Sequence, residues 1–502
     1  MAHIPTPDLL RSVVDDNTWR SWDVPLTDPP GEPAYAADLE RARTTTGTDE
    51  SVTTGSAQVG GRTVAVVAGD FGFLAGSIGR VAADRIVAAF ERATALGLPV
   101  LGLPQSGGTR MQEGTPAFIQ MAAIASAVRS HTDAGLPYLI YLRHPTTGGV
   151  LATWGSLGDV VCAQPGALIG FLGPKVYEGL FHTGFPAGVQ TAAGLYEAGV
   201  IDAVAAPEEW RSMVARILDV WAGRPDPAAP PGWESPNPEV VHRPANPAPP
   251  KVSPTELTAW DAITATRRSD RPGAADLVAL LPDAVELSGT GVGERAVAIR
   301  VWLALVDGTG CVIVGQDRAR QEQRRAHHPA LGIGPGDLRV ARRGMALAQR
   351  WRLPLVTIVD TQGAELSAEA EQGALAGEIA RCLAELMNLD TATVSLLLGG
   401  GGGGGALALL PADRVVAAAD AWLTPLPPEG ASLIVHGDTT HADAMAEHQH
   451  ITAADLAAAG AVDRVVGEPL TDLEAWRQVL SEEVARAAAA GPGSLPRAWP
   501  RR

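Results

Sequence analysis

Two pairs of adjacent glycines, Gly148-Gly149 and Gly404-Gly405, stand where an apolar run gives way to a helical pattern, once in each half of this 502-residue chain. Glycine lets the backbone approach a ligand closely and adopt positive φ. Successive amide N–H groups at the start of a helix can then converge on one oxygen as it becomes negative. The chemistry served by such a turn is stabilisation of an oxyanion or enolate. A single G-G is more often a tight strand-to-helix turn with no ligand. Two pairs at equivalent places of a repeated unit favour the chemical reading. The longer run Gly399 to Gly405 fits a turn between an apolar strand and an apolar helix better than a flexible linker.

A second constellation is Ser106-Gly107-Gly108-Thr109-Arg110-Met111-Gln112-Glu113-Gly114. It is another strand-to-helix turn, with Arg110 and Glu113 three apart, a spacing that an exposed ion pair worth a few tenths of a kcal/mol also satisfies. No H-E-x-x-H, G-x-S-x-G, P-loop or thiol–histidine signature occurs in a supporting context. His144, His182, His327, His328 and His436 read as surface or capped residues. A glycine-built site without a side-chain nucleophile suits chemistry in which the substrate or cofactor moves its own proton.

The elements that would position these turns are written twice, at an offset of roughly 255 to 260 residues. RVAADRIVAAFERATALG runs into the strand LPVLGL and the turn Ser106-Gly107-Gly108; RVARRGMALAQRWR runs into LPLVTIV and the turn Asp360-Thr361-Gln362-Gly363. LPYLIYLRHP ends at Thr146-Thr147-Gly148-Gly149, and TATVSLLL ends at the glycine run. Gln190 to Val204 and Ile451 to Val466 close each half with a short helix, a glycine stop and a strand. Strands alternating with helices predict an α/β protein, with two domains of one topology and mostly parallel sheets whose functional turns lie at strand carboxyl ends. A proline-rich stretch sustains neither helix nor central strand, which divides the chain into 1–222, a linker at 223–255, and 256–502.

Composition narrows the function. A formal charge of −17 disfavours nucleic acid, and no basic cluster reverses it. Cys162, Cys311 and Cys382 form no C-x-x-C pair and read as buried apolar residues in a reducing compartment. No metal site is expected. The N-terminus carries acids where a signal peptide needs bases, and no run reaches about 18 apolar residues, so a cytoplasmic protein free of the membrane is expected. The lysines are Lys175 and Lys251.

DFGFLAGSIG (Asp70 to Gly79), SGGTRMQEG (Ser106 to Gly114), DAGLPYLIYLRHPTTGGVLATWGSLGD (Asp133 to Asp159) and PGALIGFLGP (Pro165 to Pro174) resemble the β subunit of bacterial acetyl-CoA carboxylase carboxyltransferase. After the linker, TAWDAITATRRSDRP, VIVGQDRARQ, PLVTIVDTQGAE, GGGGGGGALAL and PPEGAS resemble, more loosely, its α subunit. The resemblance covers nearly all the chain outside linker and termini. It implies a β–α fusion of two crotonase-like domains in tandem, a homodimer or higher homo-oligomer, acyl-CoA in the first half and carboxybiotin in the second. Carried over, Gly148 and Gly149 would hold the thioester enolate oxygen, and Gly404 and Gly405 the ureido oxygen of biotin. Ser106, Gly107, Gly108, Arg110 and Gly363 would line the substrates.

That family transfers carboxyl from biotin to an acyl-CoA, acetyl-CoA giving malonyl-CoA in fatty acid biosynthesis. Neither lysine sits in a Met-Lys-Met-like hairpin, so the resemblance implies a separate biotin carboxyl carrier protein and a separate biotin carboxylase. Two departures stand out. The four-cysteine zinc ribbon of the β subunit is absent, and in the α-like half Gly400 and Gly403 stand where the family has a Glu and a Ser, while the usual D-T-P-G-A-Y reads Asp360-Thr361-Gln362-Gly363-Ala364-Glu365. Two other readings stay open: a malonyl-thioester decarboxylase using the same hole, and a non-catalytic paralogue that scaffolds a carboxylase complex.

Overall fold

The structure is a computed structural model that describes residues 4–24, 33–171, 177–179, 182–225, 258–328, 330–467 and 470–492. The expected linker falls outside the described residues from 226 on, as do Lys175 and Lys251. Two compact units form: Met1–Trp221 with Leu287–Arg295, and Ala222–Glu286 with Ala296–Arg502.

In the first unit the strands are β1 (Arg20–Ser21), β2 (Val52–Val59), β3 (Arg62–Gly69), β4 (Val100–Leu103), β5 (Tyr138–Leu142), β6 (Thr146–Thr147), β7 (Val160–Ala163), β8 (Ile169–Gly170) and β9 (Ala203–Val204). The sheet order is β1-β2-β3-β4-β5-β7-β9, with β6 and β8 paired apart from it. β2 and β3 form an antiparallel hairpin, whose Gly60-Gly61 turn has φ 57 and 78, the mirror-image turn that two-residue hairpins favour. From β3 onward the pairing is parallel. β4, β5 and β7 are buried at every residue, the mark of strands covered on both faces. The helix Arg80–Ala95 lays Ala82, Ala83, Ile86, Phe90 and Ala93 into the core, beside Ile124 and Val128 of the helix Gly114–Asp133. Ile86, Phe90, Ile124 and Val128 each contribute about 1.5–3 kcal/mol by leaving water.

Leu287–Arg295 completes this unit although it follows the proline-rich stretch in sequence. Ser288 N–H donates to Asp202 Oδ1 at 3.1 Å, Gly291 N–H to the Gly199 carbonyl at 3.0 Å, and Arg295 pairs with Glu197 at 2.6 Å.

The second unit repeats the plan with β10 (Val285–Leu287), β11 (Ile299–Val306), β12 (Thr309–Gln316), β13 (Leu355–Thr361), β14 (Thr393–Gly402), β15 (Arg414–Ala418), β16 (Trp422–Thr424) and β17 (Arg464–Val466). The order is β10-β11-β12-β13-β14-β15-β17, with β16 on the far end of β14. An antiparallel hairpin turning at Asp307-Gly308 again leads into parallel strands. The two registers coincide: Val100 pairs with Tyr138 as Leu355 pairs with Thr393.

Cys162, Cys311 and Cys382 are all buried, and burial pushes the Cys162 and Cys382 thiols up to about 12. Among the described residues no helix is long and apolar enough to cross a membrane.

His131 lies fully buried against Phe90, its Nδ1 3.0 Å from Thr94 Oγ1. Burial depresses its imidazole from the ordinary 6.5 to about 4. The unfolded chain therefore takes up a proton as pH falls through about 6.5, while the folded chain resists until about 4. Stability fully present above that window is lost across it, at a slope approaching about 1.4 kcal/mol per pH unit. Urea midpoints between pH 7 and 5 are expected to fall less steeply in His131→Gln than in the unsubstituted chain; parallel slopes would remove His131 as the cause.

Candidate active site

β4 delivers its chain end to Ser106, whose hydroxyl donates to the Gly76 carbonyl at 2.5 Å and accepts the Gly108 N–H at 2.9 Å. Gly107 N–H donates to Ala75 O at 2.8 Å, Ile78 N–H to Gly108 O at 2.9 Å, and Arg110 N–H to Ile78 O at 2.9 Å. The turn is thereby stitched to residues 75–78. Beside it, β6 ends at Thr147 and the short helix Gly148–Leu151 begins. Gly148 has φ 65, and a Cβ built on it would lie 3.1 Å from Gly108 Cα; one on Gly108, at φ 115, would lie 3.5 Å from Gly149 N. Two backbones thus touch with only hydrogen between them.

The Gly148 N–H is taken by Phe171 O at 3.0 Å. Gly149 stands second in the first helical turn, where a helix has no acceptor of its own for the N–H. Both residues are partly exposed. Thr109 Oγ1 and Met121 Sδ border this point, 3.1 and 3.5 Å from where a Cβ on Gly149 would sit.

The second unit rebuilds the same turn. Thr361 Oγ1 accepts the Gly363 N–H at 3.1 Å, Ile333 N–H donates to Gly363 O at 3.2 Å, and Glu365 N–H to Ile333 O at 3.0 Å. Ser106, Gly108 and Arg110 thus correspond to Thr361, Gly363 and Glu365. The helix Gly403–Leu407 starts at Gly403, φ 57, the counterpart of Gly148, and Gly404 is the counterpart of Gly149. The register therefore moves the second pair by one residue. Gly405 matches Val150: it is buried, its carbonyl accepts from Gln316 Nε2 at 2.7 Å, and a Cβ on it would lie 3.1 Å from Ala364 N. Gly405 is a wall of the turn, while Gly403 and Gly404 are its partly exposed face.

Most of the glycine run is strand rather than turn. Gly400, Gly401 and Gly402 pair with Trp422, Leu423 and Thr424. A Cβ on Gly399 would lie 2.1 Å from the Arg271 guanidinium, on Gly401 2.4 Å from Trp422 O, and on Gly402 2.3 Å from Gln362 O. Arg271 grips Asp360 through both carboxylate oxygens at 2.8 and 2.7 Å, and Asp360 accepts the Gly400 N–H at 3.1 Å. Burial pushes the Asp360 carboxyl above its usual range against the opposing pull of Arg271. Gln316 and Gln321 bind the Asp360 backbone, and Gln321 Oε1 accepts from Thr361 Oγ1 at 2.6 Å. Sequence reading missed this network; the clue was Gln316 and Asp360, polar residues near the ends of two apolar strands.

Arg110, which the resemblance placed among the substrate-lining residues, lies buried. Only 1% exposed, it donates to Glu50 Oε2 at 3.0 Å, Ser51 Oγ at 3.1 Å and Ser77 O at 2.8 Å, with Glu113 at 3.5 Å. The pairing with Glu113, for which the spacing also allowed an exposed ion pair, is buried. Ser106, also 1% exposed, spends its hydroxyl on the bonds that shape the turn. Among the described residues no group of three or more His, Cys, Asp or Glu is placed to hold a metal ion.

Tandem units of this topology, each presenting a glycine turn at parallel strand ends, define a crotonase-like fold. The 12S subunit of transcarboxylase superposes on 98% of this chain and 91% of its own at TM-score 0.76 and 19% identity, and a single-chain, multi-domain long-chain acyl-CoA carboxylase on 95% of this chain and 46% of its own at TM-score 0.67. The model of the acetyl co-enzyme A carboxylase carboxyltransferase-like family matches residues 251–491. A probable biotin-dependent acyl-coenzyme A carboxylase beta3 subunit of Mycobacterium tuberculosis is 52% identical over 93% of this chain and 90% of the relative. The acetyl-coenzyme A carboxylase carboxyl transferase subunits beta/alpha of Saccharopolyspora erythraea are 34% identical over 92% of this chain and 79% of the relative. The chain belongs to the carboxyltransferase subunits of biotin-dependent acyl-CoA carboxylases, and it is an enzyme.

The close contacts of the glycine strand carry a stability test. Gly399→Ala is expected to cost more than about 2 kcal/mol, because the new methyl group displaces the buried Arg271–Asp360 pair. Gly467→Ala, with open space around it, should stay within about 0.5 kcal/mol. Equal urea midpoints for the two variants would refute the packing described.

Proposed function

We propose that the chain transfers the carboxyl group of carboxybiotin, borne on a separate biotin carboxyl carrier protein charged by a separate biotin carboxylase, to the α carbon of acetyl-CoA, giving malonyl-CoA. The first unit takes the acyl-CoA and the second the biotin, in a cytoplasmic homo-oligomer that uses no metal. The observation that carries this reading is the duplicated turn. Gly149 and Gly404 each present an N–H without an intrahelical acceptor behind a positive-φ glycine, Gly148 and Gly403.

At Gly149 the N–H faces the thioester oxygen as its charge grows on loss of the α proton. The side chains bordering it, Thr109 and Met121, are not bases at neutral pH. Biotin, when bound, supplies both the carboxyl group and the nitrogen that accepts that proton. The Gly404 N–H would hold the ureido oxygen of biotin, and Ile379 Cδ1, 2.8 Å from where a Cβ on Gly404 would stand, sets how little room remains beside it. Fixed amides cost no reorganisation as charge develops, which is why they outperform water in the same place.

Gly148→Ala and Gly403→Ala add a methyl group at φ 65 and 57, where an L side chain is strained, and shift the following N–H. Each is expected to lower kcat for labelled carboxyl transfer to acetyl-CoA by about 100-fold, the usual effect of losing one such donor. Unchanged rates in folded variants would sink the site. Malonyl-CoA breakdown by the chain without biotin would favour a decarboxylase instead, and propionyl-CoA outpacing acetyl-CoA would move the acceptor.

A further inference from the structure

The two glycine turns are held by the same charged device with the signs exchanged. In the first unit the cation rides on the turn: the Arg110 guanidinium lies between Glu50, at 3.0 Å, and Glu113, at 3.5 Å. Glu113 in turn accepts the Arg80 N–H at 2.7 Å, at the start of the helix Arg80–Ala95, and the Tyr35 hydroxyl at 2.5 Å. In the second unit the anion rides on the turn. Glu365, at the place equivalent to Arg110, accepts from Arg324 at 2.7 Å and from Ser367 Oγ at 2.5 Å. Arg324 also reaches Asp337 at 2.9 Å, and Asp337 accepts the Gly334 N–H at 2.8 Å, at the start of the helix Pro335–Trp351. Each unit therefore runs a carboxylate–guanidinium–carboxylate bridge from its turn to the cap of the helix preceding the strand.

The bridges sit two residues beyond Gly108 and Gly363, whose backbones border Gly148 and Gly402 respectively. Arg110 is 1% exposed, and the side chains of Asp337 and Glu365 are 2% and 8% exposed, so none of the three has an open face for a substrate. We infer that Arg110 and Glu365 are positioning residues, which hold the Gly107–Thr109 and Gln362–Ala364 turns at the distance that leaves the Gly149 and Gly404 amides aimed into the site. This rests on the carboxyl-transfer reading only for its kinetic arm. A bidentate guanidinium suits the role because its planar fork fixes direction as well as charge, which an ammonium does not.

The test uses the full chain with Glu365→Gln, Arg110→Lys and Arg110→Met. Three readouts are taken: kcat for carboxyl transfer, the acetyl-CoA dissociation constant from calorimetry, and hydrogen exchange of backbone amides at residues 106–110 and 361–365. Glu365→Gln keeps the shape and loses the charge; it is expected to lower kcat by about 100-fold, as a displacement of about 1 Å does, with acetyl-CoA binding within about twofold. Exchange should quicken at 361–365 and stay unchanged at 106–110. Arg110→Met should mirror this at 106–110, and Arg110→Lys should recover part of kcat. Unchanged exchange at both turns in folded variants would overturn the inference, as would a loss confined to binding. If the unsubstituted chain transfers no carboxyl group, the functional reading fails while the exchange data still decide the positioning role. Should Arg110→Met not fold, Glu365→Gln decides alone.

Discussion

A backbone amide can be offered to a ligand only where the α carbons around it carry nothing larger than hydrogen. That steric condition governs both turns. Gly148 and Gly108 approach so closely that a methyl group on either would lie 3.1 to 3.4 Å from the other's α carbon. In the second unit the close approach falls one residue earlier, between Gly402, the counterpart of Thr147, and the Gln362–Gly363 peptide. Glycine pays a larger conformational entropy on ordering than any other residue, so such a turn needs rigid neighbours. The parallel strands β4, β5 and β7, and β13, β14 and β15, provide them, because strands buried on both faces cannot slide without exposing or colliding side chains.

The buried ion bridges add direction to that rigidity. A buried pair is weak evidence for stability, since desolvation offsets much of its attraction. Burial alone would depress the Arg110 charge, yet Glu50 and the hydrogen bonds around it hold its proton more tightly than usual. What such a bridge supplies is one geometry out of many. Its recurrence with exchanged signs indicates that the constraint, rather than either residue, is what the fold retains: a guanidinium between two carboxylates ties the turn to the helix cap, whichever element carries the guanidinium.

The duplication, the alternation of strand and helix and the glycine turns were all legible in the sequence because each leaves a periodic or compositional mark. Gly363 was marked by its place in a strand-end turn, and its φ of 141 bears the position out as one suited to glycine. Three features were not legible. A run of seven identical residues, Gly399 to Gly405, contains no internal signal of register; the partner strands β13 and β16 set it, which is why the turn falls at Gly403-Gly404. Spacing reveals a partner three residues away but not one sixty away, so Arg110 was paired with Glu113 and its closer tie to Glu50 was missed. Leu287–Arg295 joins the first unit through the Gly291–Gly199 backbone bond, the Ser288–Asp202 bond and the Arg295–Glu197 pair, whose partners lie too far apart in sequence for spacing to reveal.

The two units meet one geometric demand by different chemistry, and the difference follows from their side chains. In the first, Thr146 anchors the strand end by donating its hydroxyl to the Pro104 carbonyl at 3.0 Å and the Arg143 carbonyl at 2.8 Å. Its counterpart Gly401 has no side chain with which to do this. The load passes to groups outside the strand: Asp360 takes the Gly400 N–H, Arg271 the Leu398 carbonyl at 2.8 Å, Gln316 the Gly405 carbonyl, and Trp422 covers the run with its indole N–H donated to Thr266 at 2.7 Å. Gln105, in the first unit, stands where Asp360 does and is uncharged. A strand stripped of side chains must have its register specified by its neighbours' hydrogen bonds, and the buried Asp360–Arg271 pair is the consequence of that requirement rather than an independent feature of the site.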